Sequence, residues 1–367
     1  MVVLKISQFN TYQFKLPLRE PLLIGKHSLT HRQGLIVEIS DDKGHIALGE
    51  ISPLPGLNRE DMARVGTEIA RVRSLVVNCE LPKDLKELSG GFEKWLGPFH
   101  LTPSVRFGFE MAVLNLLAAR KGIPLCRLIS DSPRAYVTIN GLLAGSFSQV
   151  IDKAGRLLGE GYTAFKLKVG RNCLEDDVTL ATTVRNLIGG TSILRLDANR
   201  AWTVDHALAI LKILADINID YIEEPTKTFS SLRRLASKPG ISVPIALDES
   251  LLEVTPEEAL SVPRIAAIVL KPTSLGLERA VQLARLATTL GVKPVISSSF
   301  ESGLGLKALS HIAASVNKSD IPVGLGTLDW FKEDLLVTPS DIEKGQMLIA
   351  ELPKACEEIR QEFFKKQ

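Results

Sequence analysis

The second half of the sequence carries a polar residue at the end of one short apolar segment after another. These residues are Lys168, Asp197, Glu223, Asp248, Lys271 and Ser297 to Ser299. From Lys168 to Ser297 the intervals are 29, 26, 25, 23 and 26 residues, which suits one strand, one helix and two turns each time. Because the strand ends of a parallel α/β barrel meet at one rim, where the active sites of such barrels lie, this spacing predicts that the side chains converge there.

The first of these segments, "AFKLKVG" at 164–170, places two lysines on one side of a strand. Alternation along an extended chain sets the apolar side chains on one face and Lys166 and Lys168 on the other. An isolated pattern of this kind is more often a half-exposed strand with solvated lysines. The recurring polar residues favour a different interpretation, in which both ammonium groups face the barrel mouth among carboxylates.

The three acids of the series indicate a metal site. Two carboxylates about 4 Å apart repel each other by roughly 4 kcal/mol at an effective dielectric constant of about 20, and a divalent cation removes that cost. Asp197, Glu223 and Asp248 offer oxygen ligands without histidine or cysteine, a set that suits Mg²⁺, which Mn²⁺ could replace. Taken singly, each acid could instead cap the helix that follows it.

The lysines fit a reaction that begins with removal of a proton. Burial and a second ammonium group both disfavour a charged amine, so crowding by Lys166 would leave Lys168 neutral often enough to accept a proton near pH 7. Lys271 is expected on the opposite side of the ring. A carbon acid held between these lysines, with its carboxylate on the metal, would lose the proton beside that carboxylate.

The elements that must position these residues follow from the periodicity. The first part of the chain reads as an α+β unit, with strands in "VLKISQFNTYQFKL", "GLIVEIS" and "HIALGEI" and helices in "REDMARVGTEIARVRSLV" and "VRFGFEMAVLNLLAARKG". Eight apolar runs alternate with helical segments after it: "YVTIN", "AFKLKV", "ILRLDA", "DYIEEP", "PIALDE", "AAIVLKP", "KPVISS" and "IPVGLG". Eight strands of this kind close into an α/β barrel. The charged last segment is expected to pack back on the N-terminal unit.

Composition restricts the partners. The 44 basic and 42 acidic residues nearly balance, so no strong field attracts nucleic acid or an anionic membrane, and a small-molecule carboxylate is the expected partner. No run approaches the roughly eighteen apolar residues of a membrane span, and we expect a soluble, cytoplasmic protein of undetermined oligomeric state. Cys79, Cys126, Cys173 and Cys356 form no C-x-x-C pair and are interpreted as reduced packing residues.

The ordered motifs "FKLKVG", "LRLDANRAW", "YIEEP", "ALDES" and "VLKPTSLG", with "GEISPLPG" at 49–56, resemble the enolase superfamily, muconate-lactonising subgroup. The resemblance runs over nearly the whole chain. It implies a modified (β/α)7β TIM-type barrel over residues 131–334. It also implies an N-terminal α+β capping domain over residues 1–130, completed by 335–367.

The same resemblance assigns roles to the residues of the rim. It implies that Asp197, Glu223 and Asp248 bind Mg²⁺, that Lys168 is the base and that Lys166 tunes it. Glu224, the second acid of "YIEEP", is expected to turn away from the mouth because alternate residues of a strand face opposite ways.

Within the subgroup, "LKPTSLG" and "SSSFESGLG" are most similar to the o-succinylbenzoate synthase branch. That similarity implies Mg²⁺-dependent syn-dehydration of 2-succinyl-6-hydroxy-2,4-cyclohexadiene-1-carboxylate to 2-succinylbenzoate, a lyase reaction of menaquinone biosynthesis. Lys271 would stabilise the enediolate through its charge. Substrate contacts are expected from Arg195, Asn199, Ser298 and Gly324, although a structural role suits each of them equally well.

Other functions fit parts of this pattern. An N-acylamino acid racemase, such as one acting on N-succinylamino acids, would use both lysines, whereas dipeptide epimerases usually carry a D-x-D that "GLGTLDW" lacks. A metal-dependent aldolase or decarboxylase gives no reason for lysines on opposing sides. Residues 19–33 and 52–58 are expected to form a lid over the mouth, the first of them disordered without ligand.

Overall fold

The chain folds into an antiparallel sheet with helices, followed by a curled parallel sheet that carries helices on its outer side. A computed structural model describes residues 4–171, 173–338, 342–349 and 358–366. The strands are β1 (Ile6–Ile24), β2 (His27–Asp41), β3 (Ile46–Ile51), β4 (Tyr136–Thr138), β5 (Gly141–Leu143), β6 (Ala164–Lys168), β7 (Ile193–Asp197), β8 (Tyr221–Glu223), β9 (Ile245–Leu247), β10 (Ile265–Leu270), β11 (Lys293–Ile296), β12 (Ile342–Glu343), β13 (Gln346–Leu348) and β14 (Phe364–Lys366).

The helices lie mainly between these strands. They are α1 (Met62–Val76), α2 (Gly91–Leu96), α3 (Pro103–Lys121), α4 (Leu125–Ile129), α5 (Phe147–Gly159), α6 (Leu174–Ile188), α7 (Val204–Ile213), α8 (Phe229–Ala236), α9 (Pro256–Leu260), α10 (Pro272–Leu275), α11 (Leu277–Thr289) and α12 (Gly303–Val316). Within the described residues, none combines the length and the apolar character that a membrane crossing needs.

The N-terminal unit is built on the long hairpin of β1 and β2, and β3 extends that sheet on one side. Helix α3 packs on the sheet so closely that glycine is required at the contact. A Cβ atom on Gly49 would lie 1.9 Å from the carbonyl oxygen of Gly108, and one on Gly108 would lie 2.3 Å from Cγ1 of Ile51. The strands and helices expected for this unit are confirmed, including the end of α3 at Gly122, which has a left-handed φ of 64°.

The parallel sheet contains seven strands in the order β11-β10-β9-β8-β7-β6-β5. The ring closes through "IPVGLG", which supplies single bridges rather than a full strand. Gly324 bridges Ser297 at the end of β11, and Val323 bridges Ile139 just before β5. This arrangement confirms the modified α/β barrel with a separate N-terminal capping unit.

One strand assignment was wrong. "YVTIN" was expected to be the first barrel strand, but β4 pairs antiparallel with β13, and the first strand of the parallel sheet is β5. The apolar run of residues 136–140 did not show this because a short strand in either sheet has the same composition.

The C-terminal part of the chain returns to both sheets. Strand β14 pairs antiparallel with β1, and β13 pairs with β4 next to the barrel. The pairing of β14 with β1 supports the division that we propose, with residues 1–130 and 335–367 in the capping domain and 131–334 in the barrel, while β13 adds a contact to the barrel unit.

The cysteine interpretation needs correction. Cys126 is buried, but Cys79 and Cys173 are exposed free thiols, so they are not packing residues. Cys356 lies outside the described residues. The two exposed thiols stand at a helix end and a helix start, where a polar atom can reach the backbone or a nearby carboxylate.

The disorder expected for residues 19–33 is also wrong for this structure. Strands β1 and β2 continue as a hairpin to Ile24 and His27, with a register irregularity between Pro17 and Leu22 and with Gly25 in the left-handed region at the turn. Apart from the buried Arg32, the polar residues of this segment are exposed or half-exposed on a long ribbon, which explains why the composition resembled that of a loop.

Three buried glutamates join the capping domain to the barrel by accepting hydrogen bonds at helix N-termini. Glu50 of β3 accepts from the amides of Ser302 (3.0 Å) and Gly305 (2.9 Å) at the start of α12. Glu110 of α3 accepts from the amide of Glu278 in α11 (2.9 Å). Glu278 in turn accepts from three amides at the start of α2. The free amides of a helix start favour a negative charge, so these contacts fix the two units against each other.

Candidate active site

The register of the parallel sheet brings the predicted polar residues to one rim. Lys168 is paired with Asp197 across β6 and β7, and Asp197 is paired with Glu223 across β7 and β8. Asp248 follows β9 directly, and Lys271 follows β10. All five therefore stand at the carboxyl ends of consecutive parallel strands, which is the rim on which barrel active sites are built.

Lys166 lies between two buried carboxylates. Its Nζ donates to Oε1 of Glu223 at 2.7 Å and lies 2.8 Å from Oδ2 of Asp197. Burial alone would lower the pKa of Lys166, but the charges of Asp197 and Glu223 outweigh it and hold that pKa well above its ordinary value. Lys166 is thus a fixed positive charge.

The two carboxylates beside Lys166 differ in their electrostatics. Burial would raise the pKa of Asp197, but the ammonium groups of Lys166 and Lys168 lower it below its ordinary range. The pKa of Glu223 is raised, first by burial and then by the charge of Asp197. Oε2 of Glu223 is buried and has no hydrogen-bond partner within the described part of the chain.

Lys168 stands closer to solvent than Lys166. Its Nζ donates to Oδ2 of Asp197 at 2.7 Å and to Oδ1 of Asn199 at 2.6 Å, and 33% of its side chain is exposed. The sequence predicted a strongly desolvated Lys168, but its side chain is only partly buried. The exposed side chain of Asn199 is held at the mouth beside it, with a left-handed φ of 42°.

Lys271 approaches from the other side of the ring, since β10 lies four strands from β6 in the sheet. Its Nζ donates to Oδ2 of Asp248. Burial by itself would lower the pKa of Lys271, but Asp248 and Glu249 raise it above its ordinary value. Glu249 is a residue that the sequence reasoning missed, and burial together with the charge of Asp248 raises its pKa to about 7.

The donor atoms of this rim suit a hard divalent cation. Asp197, Glu223 and Asp248 supply carboxylate oxygens, and the unpartnered oxygen of Glu223 shows that protein groups do not satisfy all of them. As the side chains stand, however, no three acidic, histidine or cysteine residues among those described are grouped tightly enough to hold a metal ion. The lysines occupy the carboxylate oxygens instead, and a cation would compete with them for those atoms.

Arg195 does not reach the mouth. It is fully buried one layer below Asp197, where it pairs with Lys166 in the strand register. Its Nε donates to Asp220 (2.9 Å), its Nη1 donates to the carbonyl of Pro322 (2.6 Å), and its guanidinium covers the ring of Tyr221. These contacts tie strand starts together, so the substrate contact expected for Arg195 is not provided by this arrangement.

Ser298 and Gly324 lie together where the ring closes. The amide of Ser298 donates to the carbonyl of Gly324 at 3.0 Å, and Oγ of Ser298 is 2.7 Å from Oγ1 of Thr327. A Cβ atom on residue 324 would lie 2.4 Å from Oγ of Ser297. Glycine is therefore required for this closure, and that need is a structural one.

Glu224 faces away from the lysines and has a supporting position. Its carboxylate accepts from the amides of Asp248 (2.9 Å) and Ser250 (2.8 Å) and from Nε of Arg200 (3.1 Å). It thereby holds the backbone at Asp248. In the sequence, Glu223 and Glu224 are adjacent at the end of one buried strand, which indicates that one faces the mouth and the other faces away from it.

The fold and this rim define an α/β-barrel protein with a capping domain, and comparisons with known proteins identify its family. Residues 149–354 match the enolase C-terminal domain-like family, and residues 6–116 match the N-terminal domain of MenC. The chain belongs to the enolase superfamily.

Curated relatives cover most of the chain. The o-succinylbenzoate synthase of Pasteurella multocida (strain Pm70) is 33% identical over 331 residues, which are 88% of this chain and 90% of that protein. Protein PHYLLO, chloroplastic, of Arabidopsis thaliana is 32% identical over 367 residues, with 90% of this chain covered. The matched region is 21% of the length of PHYLLO, so this chain spans about a fifth of that relative.

Solved structures share the fold at lower identity. The N-succinyl Arg/Lys racemase from Bacillus cereus ATCC 14579 has a TM-score of 0.85 and 22% identity, covering 98% of this chain and 96% of that one. The dipeptide epimerase from Cytophaga hutchinsonii, in complex with Mg and D-Ala-L-Val, has a TM-score of 0.85 and 23% identity, with 99% of each chain covered.

Proposed function

We propose that this protein is an o-succinylbenzoate synthase. It would catalyse the syn-dehydration of 2-succinyl-6-hydroxy-2,4-cyclohexadiene-1-carboxylate to 2-succinylbenzoate, a step of menaquinone biosynthesis, as a carbon–oxygen lyase. The observation that carries the reaction class, proton abstraction beside a carboxylate, is the placement of Lys168 and Lys271 on opposite sides of a rim of carboxylates. The curated relative of that name, matched over nine-tenths of its length, supports the choice of reaction.

Asp197, Glu223 and Asp248 would hold Mg²⁺ in this proposal, with Mn²⁺ as a substitute. The bound ion would draw the substrate carboxylate to the rim and favour the extra negative charge that this carboxylate gains when the neighbouring carbon is deprotonated. The chain contributes Glu224 to hold the backbone of Asp248. It contributes Lys166 as a permanent charge next to Asp197 and Glu223.

Lys168 would act as the base. Its neutral amine takes the proton from the carbon beside the ring carboxylate, and the electron pair of that C–H bond passes into an enediolate. The C–O bond of the ring hydroxyl then breaks, the ring becomes aromatic, and the Lys168 ammonium returns its proton to the departing hydroxide as water. Lys168 suits both transfers because it is partly exposed at the mouth.

Lys271 would stabilise the enediolate as a charge on the other face of the ring. Its contact with Asp248 and its raised pKa favour the ammonium form, which attracts both the enediolate and the face of the developing aromatic ring. In the same proposal Asn199, Ser298 and Gly324 border the mouth and would contact the substrate.

The direct experiment is to mix the purified protein with Mg²⁺ and the cyclohexadiene substrate. We expect the diene absorbance to disappear and the aromatic product to form, EDTA to stop the reaction, and Mg²⁺ or Mn²⁺ to restore it. A protein that is folded and loaded with Mg²⁺ but leaves the substrate unchanged would refute the proposal. Full activity in metal-free buffer would refute the metal site alone.

A second candidate is racemisation of N-succinylamino acids. The opposed lysines favour it, because moving a proton from one face of a carbon to the other needs a group on each side. Deuterium incorporation into N-succinylamino acids, without dehydration of the cyclohexadiene, would make this candidate the better one.

A further inference from the structure

One buried arginine connects the capping domain to the barrel at the mouth. Arg32 of β2 is 2% exposed. Its Nη1 donates to the carbonyl of Pro53 at 2.9 Å and its Nη2 to that of Ser52 at 2.7 Å. Its Nε donates to the carbonyl of Phe300 at 3.0 Å, and its Nη2 also donates to that of Ser299 at 3.3 Å. Its acceptors are thus backbone oxygens of two separate loops.

The barrel loop that Arg32 holds contains a residue in an unfavourable backbone conformation. Phe300 has a left-handed φ of 59°, a conformation that costs a bulky residue on the order of 1–3 kcal/mol. Its ring packs edge-on against Trp330, and its amide donates to Oγ of Ser298 at 3.3 Å. The hydrogen bond from Arg32 to the carbonyl of Phe300 therefore offsets the strain in the Phe300 backbone. Because the amide of Phe300 donates to Ser298, it also links Arg32 to Ser298.

Two buried acids balance the charge of Arg32 and extend the connection. Burial lowers the pKa of Arg32, and the charges of Glu301 and Glu50 oppose that shift. Glu301 accepts from the amide of Ser299 at 2.6 Å and from Oγ1 of Thr273, two residues after Lys271. The cluster thus joins the capping domain, the loop after β11 and the segment that carries Lys271.

The capping loop held by Arg32 touches the tip of the β1–β2 hairpin. A Cβ atom on Gly56 would lie 2.8 Å from Cγ2 of Ile24. Nδ2 of Asn58 in the same loop donates to the carbonyl of Thr273 at 3.2 Å. Residues 52–58 are therefore fixed from both sides.

We propose that Arg32 is a positioning residue that sets the shape of the mouth by tying the loop at 52–53 to the loop at 299–300. Through Phe300 it would fix Ser298 where substrate is expected. The effect of Arg32 on KM rests on the proposed dehydratase reaction, whereas its effect on the two loops does not.

The kinetic experiment compares Arg32→Lys with a matched control, Arg185→Lys. Arg185 is also buried and also donates to backbone carbonyls, those of Gly189, Ser192 and Asn218, but these lie at the strand starts. Lysine keeps the charge and loses the planar set of donors. We expect Arg32→Lys to raise KM about tenfold and change kcat less than about threefold, since it loosens substrate binding rather than proton transfer. Arg185→Lys should lower Tm without raising KM.

An unchanged KM in folded Arg32→Lys, or an equal rise in Arg185→Lys, would overturn the inference. A second measurement needs neither a variant nor activity. In the wild-type protein, native-state hydrogen exchange should give the hydrogen-bonded amides of Leu54, Leu57 and Asn58 the same free energy of opening as those of Ser299 and Phe300, because one side chain holds both loops. Clearly different opening free energies would also overturn it. If the wild-type protein fails to dehydrate the substrate, the proposed function falls while exchange still tests Arg32.

Discussion

Buried carboxylates occur in two regions of this molecule, and their partners differ. At the interface between capping domain and barrel, Glu50, Glu110 and Glu278 accept hydrogen bonds from helix N-terminal amides. At the mouth, Glu223 and Asp248 contact lysine ammonium groups. Amides are fixed donors that cannot leave or titrate, whereas ammonium groups can exchange places with a cation or a substrate. The same residue type is therefore structural in the first region and available for chemistry in the second.

The largest expected difference concerns the two lysines on opposite sides of the mouth. Lys168→Arg should lower kcat by about 10²–10⁴-fold, the usual contribution of a general base, because arginine does not readily accept a proton. Lys271→Arg keeps the charge and should retain measurable dehydration. Rates of substrate loss for both variants, with circular dichroism to check folding, make the test.

Lys293→Arg is the matched control for this pair, since Lys293 begins β11 at the opposite rim and pairs with Asp220 at 2.5 Å. Its kcat should equal that of the wild type. If Lys271→Arg is as inactive as Lys168→Arg, with its metal bound and its crystal structure unchanged, a two-base mechanism replaces the charge-only role of Lys271.

Next in size is the loss expected from the acids at the mouth. Asp197→Asn, Glu223→Gln and Asp248→Asn should each lower the rate by at least about 10²-fold, as removal of one electrostatic stabiliser does, and each should raise the Mg²⁺ concentration needed for half-maximal rate. Isothermal titration with Mg²⁺ measures the binding directly. Asp220→Asn, at the strand starts, should change stability but not Mg²⁺ affinity, and equal affinities for all four variants would contradict the metal assignment.

A smaller effect, on stability rather than rate, is expected at the interface. Glu278→Gln replaces one carboxylate oxygen by an NH2 group, so at least one amide at the start of α2 loses its acceptor, and the free energy of unfolding should fall by about 2 kcal/mol. Its kcat should stay within about threefold of the wild type. Urea denaturation measures the first quantity, with exposed Glu257→Gln as the control. A large loss of kcat at unchanged stability would contradict the purely structural role given to the buried acids of the interface.

The last expected effect, and the smallest for a change of one pH unit, is a pH dependence of stability at the interface. Burial raises the pKa of Glu301 to about 7, although hydrogen bonds from Thr273 and Ser299 oppose the shift. The folded protein then holds a proton that the unfolded chain, with an ordinary carboxyl pKa near about 4.3, releases earlier. Between those values the free energy of unfolding should fall as pH rises, by at most about 1.4 kcal/mol per unit.

Glu301→Gln should flatten that dependence, and urea denaturation at a series of pH values measures it. The buried His311 opposes it, because burial lowers its pKa to about 4 and its contribution to stability grows as pH rises from there towards its ordinary value. The difference between wild type and Glu301→Gln cancels the contribution of His311. An equal slope in wild type and Glu301→Gln would contradict this role of Glu301 and would assign the effect to other buried acids whose pKa is raised, such as Glu50 and Glu249.

Much of the architecture could be predicted from local pattern. Alternation identified β6 and the face of Lys166 and Lys168, and regular spacing placed Asp197, Glu223 and Asp248 at strand ends, since one strand and one helix occupy a nearly constant length of chain. The barrel and an N-terminal α+β unit followed from the order of strands and helices, and the resemblance to the enolase superfamily implied that this unit caps the barrel.

What the pattern could not give depends on contacts between distant segments. "YVTIN" reads as a strand in any sheet, and only pairing with Gln346–Leu348 assigned its first residues to another one. Arg195 shares the inward face with Asp197, but depth along the strand decided that it binds Asp220 rather than the mouth.

The sequence by itself determined which residues could do chemistry and on which rim they stand, because strand alternation and the repeat length are local properties of the chain. Only the tertiary structure decided which buried carboxylate contacts which hydrogen-bond donor. Glu50 and Glu223 are both buried acids at the end of apolar strands, yet one meets the amides of α12 and the other the ammonium of Lys166. Such partners are hundreds or tens of residues away. Packing of the capping domain on the barrel brings Glu50 to the amides of α12, and the curled parallel sheet of the barrel brings Glu223 to Lys166.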